Sequence, residues 1–283
     1  MTLSQLILIA LLQGLTEWLP ISSSGHVLLA AEFFSLAGRD ELLINAVSNL
    51  GTLLALLIYF RSDVQAAIYG GLSLPALIVK KQPLTRGAHL ALCILVATPI
   101  AVLAAAGHEL FLSEDVMAGL RSVWTLAGAT IIFGLLLWWA DIAGSENRTE
   151  KDMTLSHAAI IGASQAVAAL VPGTSRSGIT MTMARALGYA RLEAARFAML
   201  IGAPITAAAG LYGALGLLGA PSGESLVTLQ DGLVVALFAF LSGIASIHFL
   251  MTLLKRMSFL PFVIYRILLG AVLLLVSPIL GLI

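Results

Sequence analysis

Glu17 and Arg176 carry opposite charges inside long apolar stretches, and each lies within a few residues of a run of serines and glycines. An ionisable side chain in such surroundings is expensive and by default marks function. Gln13 precedes Glu17 by four residues, so on a helix both side chains project from one face. The first run reads Pro20-Ile-Ser-Ser-Ser-Gly25, and His26 follows Ser23 by three. Hydroxyls beside an imidazole and a carboxylate are the types that nucleophilic and acid–base chemistry use. A purely structural Glu–Arg pair locking two parts of the fold would explain the charges, but neither the hydroxyls nor the glycines.

The second run, Pro172-Gly-Thr-Ser-Arg-Ser-Gly178, suits a phosphate. Gly173 and Gly178 permit tight turns, and Ser175 and Ser177 offer hydroxyls. The helix expected to start near Gly178 points free N–H groups and its positive dipole end at the loop. Arg176 adds a fork that grips two phosphate oxygens at once, and Thr180 lies in the first helical turn. The plainer reading of this run is a glycine-rich helix break with an interfacial Arg.

The elements that must position these groups belong to a membrane. Hydrophobic residues make up 59% of the 283, charged residues only 11%, and mean hydropathy is +1.01. Soluble domains carry about 25% charged residues, so the solvent for most of these side chains is lipid. Apolar runs at Leu42–Phe60, His89–Ala106, Val116–Ala140, Ala194–Leu218, Leu233–Leu250 and Leu260–Leu282 predict six full transmembrane helices. Leu3–Phe34 and Thr154–Leu187 are apolar but broken by Pro, Gly and Ser, and predict two re-entrant helical hairpins. The fold class expected is an all-α integral membrane protein. The amino terminus lacks a basic n-region and reads as part of the mature fold.

A shift of 152 residues superposes Gln13 on Gln165, Pro20 on Pro172, Ser23 on Ser175, Arg39 on Arg191 and Glu41 on Glu193. That predicts one membrane domain over 1–283, built from inverted repeats at about 1–145 and 153–283 joined by the polar linker Asp141–Lys151. The loops Arg61–Arg86, Asp141–Lys151, Gly188–Glu193 and Met251–Phe259 hold most of the Lys and Arg and are expected to be cytoplasmic. The broken loops, Pro20–His26 and Pro172–Thr180, should meet near the midplane. Balanced charge, fifteen Lys plus Arg against fifteen Asp plus Glu, points to no nucleic-acid partner. Small residues along Ala203–Gly219 would allow a homodimer face or close packing within one chain. Cys93 reads as a small buried hydrophobe, and His89, His108, His157 and His248 share no metal-ligand spacing. Glu32 and Arg185 are membrane-proximal and could support the site.

Gln13-Gly-Leu-Thr-Glu17-Trp-Leu-Pro20-Ile-Ser-Ser-Ser-Gly25-His26 and Pro172-Gly-Thr-Ser-Arg-Ser-Gly-Ile-Thr180 resemble the two signatures of the undecaprenyl pyrophosphate phosphatase family. Lys255-Arg-Met-Ser-Phe-Leu-Pro-Phe-Val-Ile-Tyr-Arg266 is similar to its C-terminal segment. The resemblance implies a metal-dependent phosphatase of the inner membrane, facing outward, that acts on the lipid carrier of cell-wall synthesis and confers bacitracin resistance when overproduced. Glu17, Ser23, His26 and Arg176 match the essential residues, and Gln13 takes the Glu/Gln position. Asn45 and Asn49 depart from the family pattern on the following helix.

The mechanism expected has Ser22, Ser24, Gly173, Thr174, Ser175, Ser177, Gly178, Thr180 and Arg176 holding phosphate. Glu17 and Gln13 would hold Mg²⁺ or Ca²⁺, since oxygen ligands suit hard cations. Ser23 would attack phosphorus with His26 as general base, or water would attack directly. The competing function is a polyprenyl-phosphate transporter or flippase, because inverted repeats meeting at midplane also serve alternating access.

Overall fold

The computed structural model describes residues 2–23, 25, 26, 30, 39–111, 116, 119, 120, 122–218 and 228–278. Apart from a short 3₁₀ turn at Glu150–Asp152 and one isolated bridge between Arg148 and Tyr189, their regular structure is α-helical. The helices are α1 (Leu3–Glu17), α2 (Arg39–Tyr59), α3 (Arg61–Val79), α4 (Arg86–Phe111), α5 (Val123–Ala143) and α6 (Leu155–Ala163). They continue as α7 (Gln165–Leu170), α8 (Arg176–Ala186), α9 (Arg191–Leu218), α10 (Leu229–Leu253) and α11 (Leu260–Val276).

Local sequence explains where they start. Thr2 and Thr228 head α1 and α10 in capping boxes with Gln5 and Asp231. Ser122, Thr154 and Ser175 cap α5, α6 and α8 by accepting from the amides of Thr125, His157 and Gly178. Pro261 opens α11, where its missing N–H costs nothing.

Among the described residues, five helices are long and apolar enough to cross a membrane: α3, α4 over Arg86–Ala104, α5, α9 over Arg191–Leu211, and α10. Four of these lie on expected spans. The described parts of the other two expected spans, Ile44–Tyr59 and Leu260–Val276, are shorter apolar helices. The fifth candidate, α3, corrects the expectation of a loop over Arg61–Arg86. Gly70 serves close packing. A Cβ on Gly70 would lie 2.1 Å from the Gly87 carbonyl carbon, so α3 and α4 cross backbone to backbone.

Both regions break where the sequence predicts. α1 stops at Glu17, the chain turns through Trp18–Ile21, and Ser23, Gly25 and His26 are helical again. In the second region α6 and α7 are separated by a kink at Ser164, and a turn at Val171–Thr174 leads into α8. Ser22 and Ser175 each take a left-handed φ, 68° and 67°, just before the helix restarts. By that landmark the loops correspond with a register of 153, one residue from the sequence superposition.

α1 and α2 pack on α10, while α6, α7 and α9 pack on α4; α2 packs on α9, and α5 on α11. Gly14 and Gly51 lie against the backbone of α10, where a Cβ would come within 2.5 Å of Ala239 O and 2.2 Å of Ala236 O respectively. The largest buried apolar cluster among the described residues joins Trp18, Leu19 and Ile21 of the first loop to Met181 and Ala184 of α8, Phe197–Ile201 of α9, and Phe259, Phe262 and Val263. Trp18 donates its indole N–H to Thr52 O at 3.1 Å and fixes the first loop on α2. The core therefore sits where the two broken loops meet.

Candidate active site

The last residue of α1 and the first of α8 come together. Glu17 Oε1 accepts from Arg176 Nη2 across 159 positions of sequence. Glu17 Oε2 accepts from Gln13 Nε2 at 2.9 Å and from Ser23 Oγ at 3.3 Å. One carboxylate thus gathers three other expected site residues. Arg176 also donates to Thr206 Oγ1 at 2.7 Å, and Thr206 in turn donates to Gly202 O. Sequence reading missed Thr206. A buried threonine on a long apolar helix is a weak signal, and only the approach of α9 to α8 gives it a partner.

Glu17, Ser23, Ser175 and Arg176 are the partly exposed members of this group, whereas Gln13 and Thr206 are buried. The amides of Arg176 and Ser177 head α8, where no intrahelical acceptor precedes them. Arg176 thus stands at the N-terminal end of α8, beside Glu17.

The remaining hydroxyls of the second loop are spent on the backbone. Ser175 Oγ caps α8 by accepting from Gly178 N at 3.1 Å. Ser177 Oγ donates to Leu19 O at 2.9 Å and pins the two loops together. Thr174 donates to Val171 O at 2.7 Å, and Thr180 to Arg176 O at 2.9 Å. Gly173 has φ 92°, and a Cβ there would lie 2.3 Å from Leu126 O, which explains the residue type. Ser22 is buried and its carbonyl accepts from His26. Ser24 lies outside the described residues.

His26 does not face Ser23 in this arrangement. Its Nδ1 donates to Ser22 O at 2.8 Å, because a carbonyl only accepts, and its Nε2 lies 2.5 Å from the Tyr265 hydroxyl. Its ring stacks on that of Tyr265, with centroids 5.6 Å apart and planes 7° apart. The acceptor within reach of Ser23 is Glu17. Arg185, considered from sequence as site support, lies at the far end of α8. There it is fully buried and donates to Asp141 Oδ1 at 3.0 Å.

Glu17 and Gln13 are the oxygen-bearing side chains that could hold a cation here. Gln13 Oε1 is buried and has no hydrogen-bond partner, so an acceptor oxygen with unmet demand sits next to a carboxylate. Among the described residues no group of three or more His, Cys, Asp or Glu could hold a metal. The protein would supply two oxygen ligands and leave the rest to phosphate and water, a manner of binding that suits Mg²⁺.

The family model "Bacitracin resistance protein BacA" matches residues 6–272. The chain belongs to this family. It is 62% identical over 279 residues to an undecaprenyl-diphosphatase of Hyphomonas neptunium, covering 99% of this chain and 98% of that one. It is 43% identical to an undecaprenyl-diphosphatase of Dinoroseobacter shibae, covering 98% and 99%, and 42% identical to one of Saccharophagus degradans, covering 94% of each. Both broken loops and the Glu17–Arg176 pair fall inside the stretch matched to BacA. With its apolar helices, this BacA-family chain is a multi-pass membrane protein.

Proposed function

We infer that this chain is an undecaprenyl-diphosphatase, a membrane hydrolase that converts undecaprenyl diphosphate to undecaprenyl phosphate and inorganic phosphate. The observation that carries the chemistry is the Glu17 carboxylate, shared by a phosphate-gripping Arg176 from one loop and the Ser23 hydroxyl from the other.

In this reading Arg176 exchanges one contact with Glu17 for the terminal phosphate. The amides of α8 stabilise charge that grows on its oxygens as the anhydride bond breaks. Ser23 attacks phosphorus and gives its proton to Glu17, and water later hydrolyses the phosphoserine; alternatively water attacks directly from the same position. His26 is the alternative base for Ser23 or for the attacking water, once its Nε2 parts from Tyr265 or through that hydroxyl. Ser22, Ser24, Thr174, Ser175, Ser177 and Thr180, with Gly173 and Gly178, shape the phosphate-binding wall. Gln13 and Glu17 would hold a divalent cation, which when bound would neutralise charge on the diphosphate.

The depth of the site supports access from within the bilayer. Arg176 lies nine residues along α8 from Arg185, and Thr206 ten along α9 from Arg196, or about 14 and 15 Å of helix. Arg185 and Arg196 belong to polar clusters formed by the basic loops expected to face the cytoplasm. Half of a hydrocarbon core about 30 Å thick is the same distance. The exchange of partners, α1 and α2 on α10 against α6, α7 and α9 on α4, is what an inverted repeat would produce and supports that reading. In this reading the site opens outward in the bacterial inner membrane, opposite the basic loops, and recycles the cell-wall lipid carrier.

Phosphate release from farnesyl or undecaprenyl diphosphate by the purified protein in detergent, with and without divalent metal, tests the function. Release that needs metal and vanishes in Glu17→Ala and Arg176→Ala is the expected result. No release by the folded parent under any metal would shift the weight to lipid transport, measured in liposomes.

A further inference from the structure

Arg266 lies on α11 with its side chain fully buried, and among the described residues it has no carboxylate partner. Burying an unpaired guanidinium costs several kcal/mol unless its hydrogen bonds are met. Here backbone carbonyls meet them. Nε donates to Thr130 O of α5 at 2.8 Å, and Nη2 to Gly173 O and Thr174 O of the second loop, each at 3.0 Å. Nη1 reaches Pro20 O of the first loop at 3.4 Å.

The neighbouring residues are shaped to admit this group. A Cβ on Gly178 would sit 2.8 Å from Nη1, and one on Gly134 would sit 3.1 Å from Arg266 Cβ and 3.3 Å from Nε. Two glycines on different helices thus form a notch for one guanidinium. Its contacts lie close to the chemistry in sequence: Pro20 stands midway between Glu17 and Ser23, and Thr174 two residues before Arg176.

We propose that Arg266 is a positioning residue for phosphate cleavage, whose guanidinium holds the first loop against the second and so sets the separation of Glu17 and Ser23 from Arg176. It touches no reacting atom. The proposal rests on the phosphatase reading, and it separates from mere structural clamping through the kinetics. A clamp alone affects how much protein folds; a positioning group affects turnover by each folded molecule.

The test compares the parent with Arg266→Gln, Arg266→Lys and Gly134→Ala, each purified in detergent. Monodisperse folded protein is counted by size exclusion, and kcat and KM are read from phosphate release with farnesyl diphosphate. Misplacement by about 1 Å costs on the order of a hundredfold in rate, so Arg266→Gln should lose about that much in kcat with KM changed far less. Gly134→Ala pushes the guanidinium without touching either loop and should lose about tenfold, while Arg266→Lys should recover part of the glutamine variant's loss. Parent-like kcat in the folded variants, with only their thermal stability lowered, overturns the proposal. If Arg266→Gln does not fold, Gly134→Ala and Arg266→Lys decide by the same criterion. A parent that releases no phosphate overturns the phosphatase reading, and this proposal with it; a working parent with unaffected variants overturns this proposal alone.

Discussion

At the scale of single residues, the Glu17 carboxylate does several jobs that separate variants can distinguish. Glu17→Gln keeps the shape but removes the negative charge that pairs with Arg176 and accepts from Ser23. Turnover is expected to fall by at least about a hundredfold, as when a positioned base is lost. Ser23→Ala separates the two routes of attack. A comparable loss supports the covalent route, and near-parental phosphate release would leave water as the nucleophile. Thr206→Val removes one acceptor that steers Arg176 while keeping its volume, and should cost about 1 kcal/mol, or some fivefold in kcat/KM. Sequence named Glu17 and Arg176 because ionisable types are conspicuous among apolar neighbours, and the family resemblance added Ser23 and Gln13. It did not name Thr206, Tyr265 or Arg266 as site residues, because their partners lie 30, 239 and 246 positions away.

At the scale of elements, small residues and caps decide how the loops are presented. Ser175 combines a left-handed φ with the cap of α8. Ser175→Ala should cost about 1 kcal/mol, seen as a fall of roughly 2–4 °C in the thermal midpoint in detergent. Gly14 is a harder constraint, since a Cβ there would lie 1.9 Å from Ser242 Oγ and would drive α1 off α10. Gly14→Ala should therefore lower stability by about 1–3 kcal/mol and reduce phosphate release as well, because Gln13 and Glu17 ride on the same helix. The two helix breaks were legible from Pro, Gly and Ser alone. α3 was not, because Arg61–Arg86 lies outside the long apolar runs, and only the crossing with α4 shows what Gly70 is for.

Across the whole molecule, two ion networks tie the ends of helices together about 14 Å from the site. Asp141 holds Arg185, Arg191 at 2.8 Å and the Phe259 amide at 3.0 Å. Asp63 and Glu150 share Arg86 and Arg196. Burial pushes the Glu150 carboxyl up, but the hydrogen bond from Arg86 and the charges of Arg196 and Arg86 outweigh it and hold the group below the usual carboxylate range. A depressed folded pKa means that the stabilisation is complete above the unfolded value of about 4.3 and is lost as pH falls through the folded one. Unfolding in detergent should therefore show an acid limb below about pH 4.3 that flattens in Glu150→Gln. An acid limb of equal slope in the variant would assign that limb to other groups.

The sequence by itself determined that the protein lives in lipid, because its charge content is too low for a soluble surface. It also determined where the helices break, since that is a property of neighbouring residues. Tertiary structure alone decided that Glu17 meets Arg176, that Ser177 is spent on the Leu19 carbonyl, and that His26 turns to Tyr265. It also decided that Arg266 reaches both loops. The physical reason is range. Helical periodicity fixes which side chains share a face, but a buried donor takes whichever acceptor the packing of distant segments brings within about 3 Å.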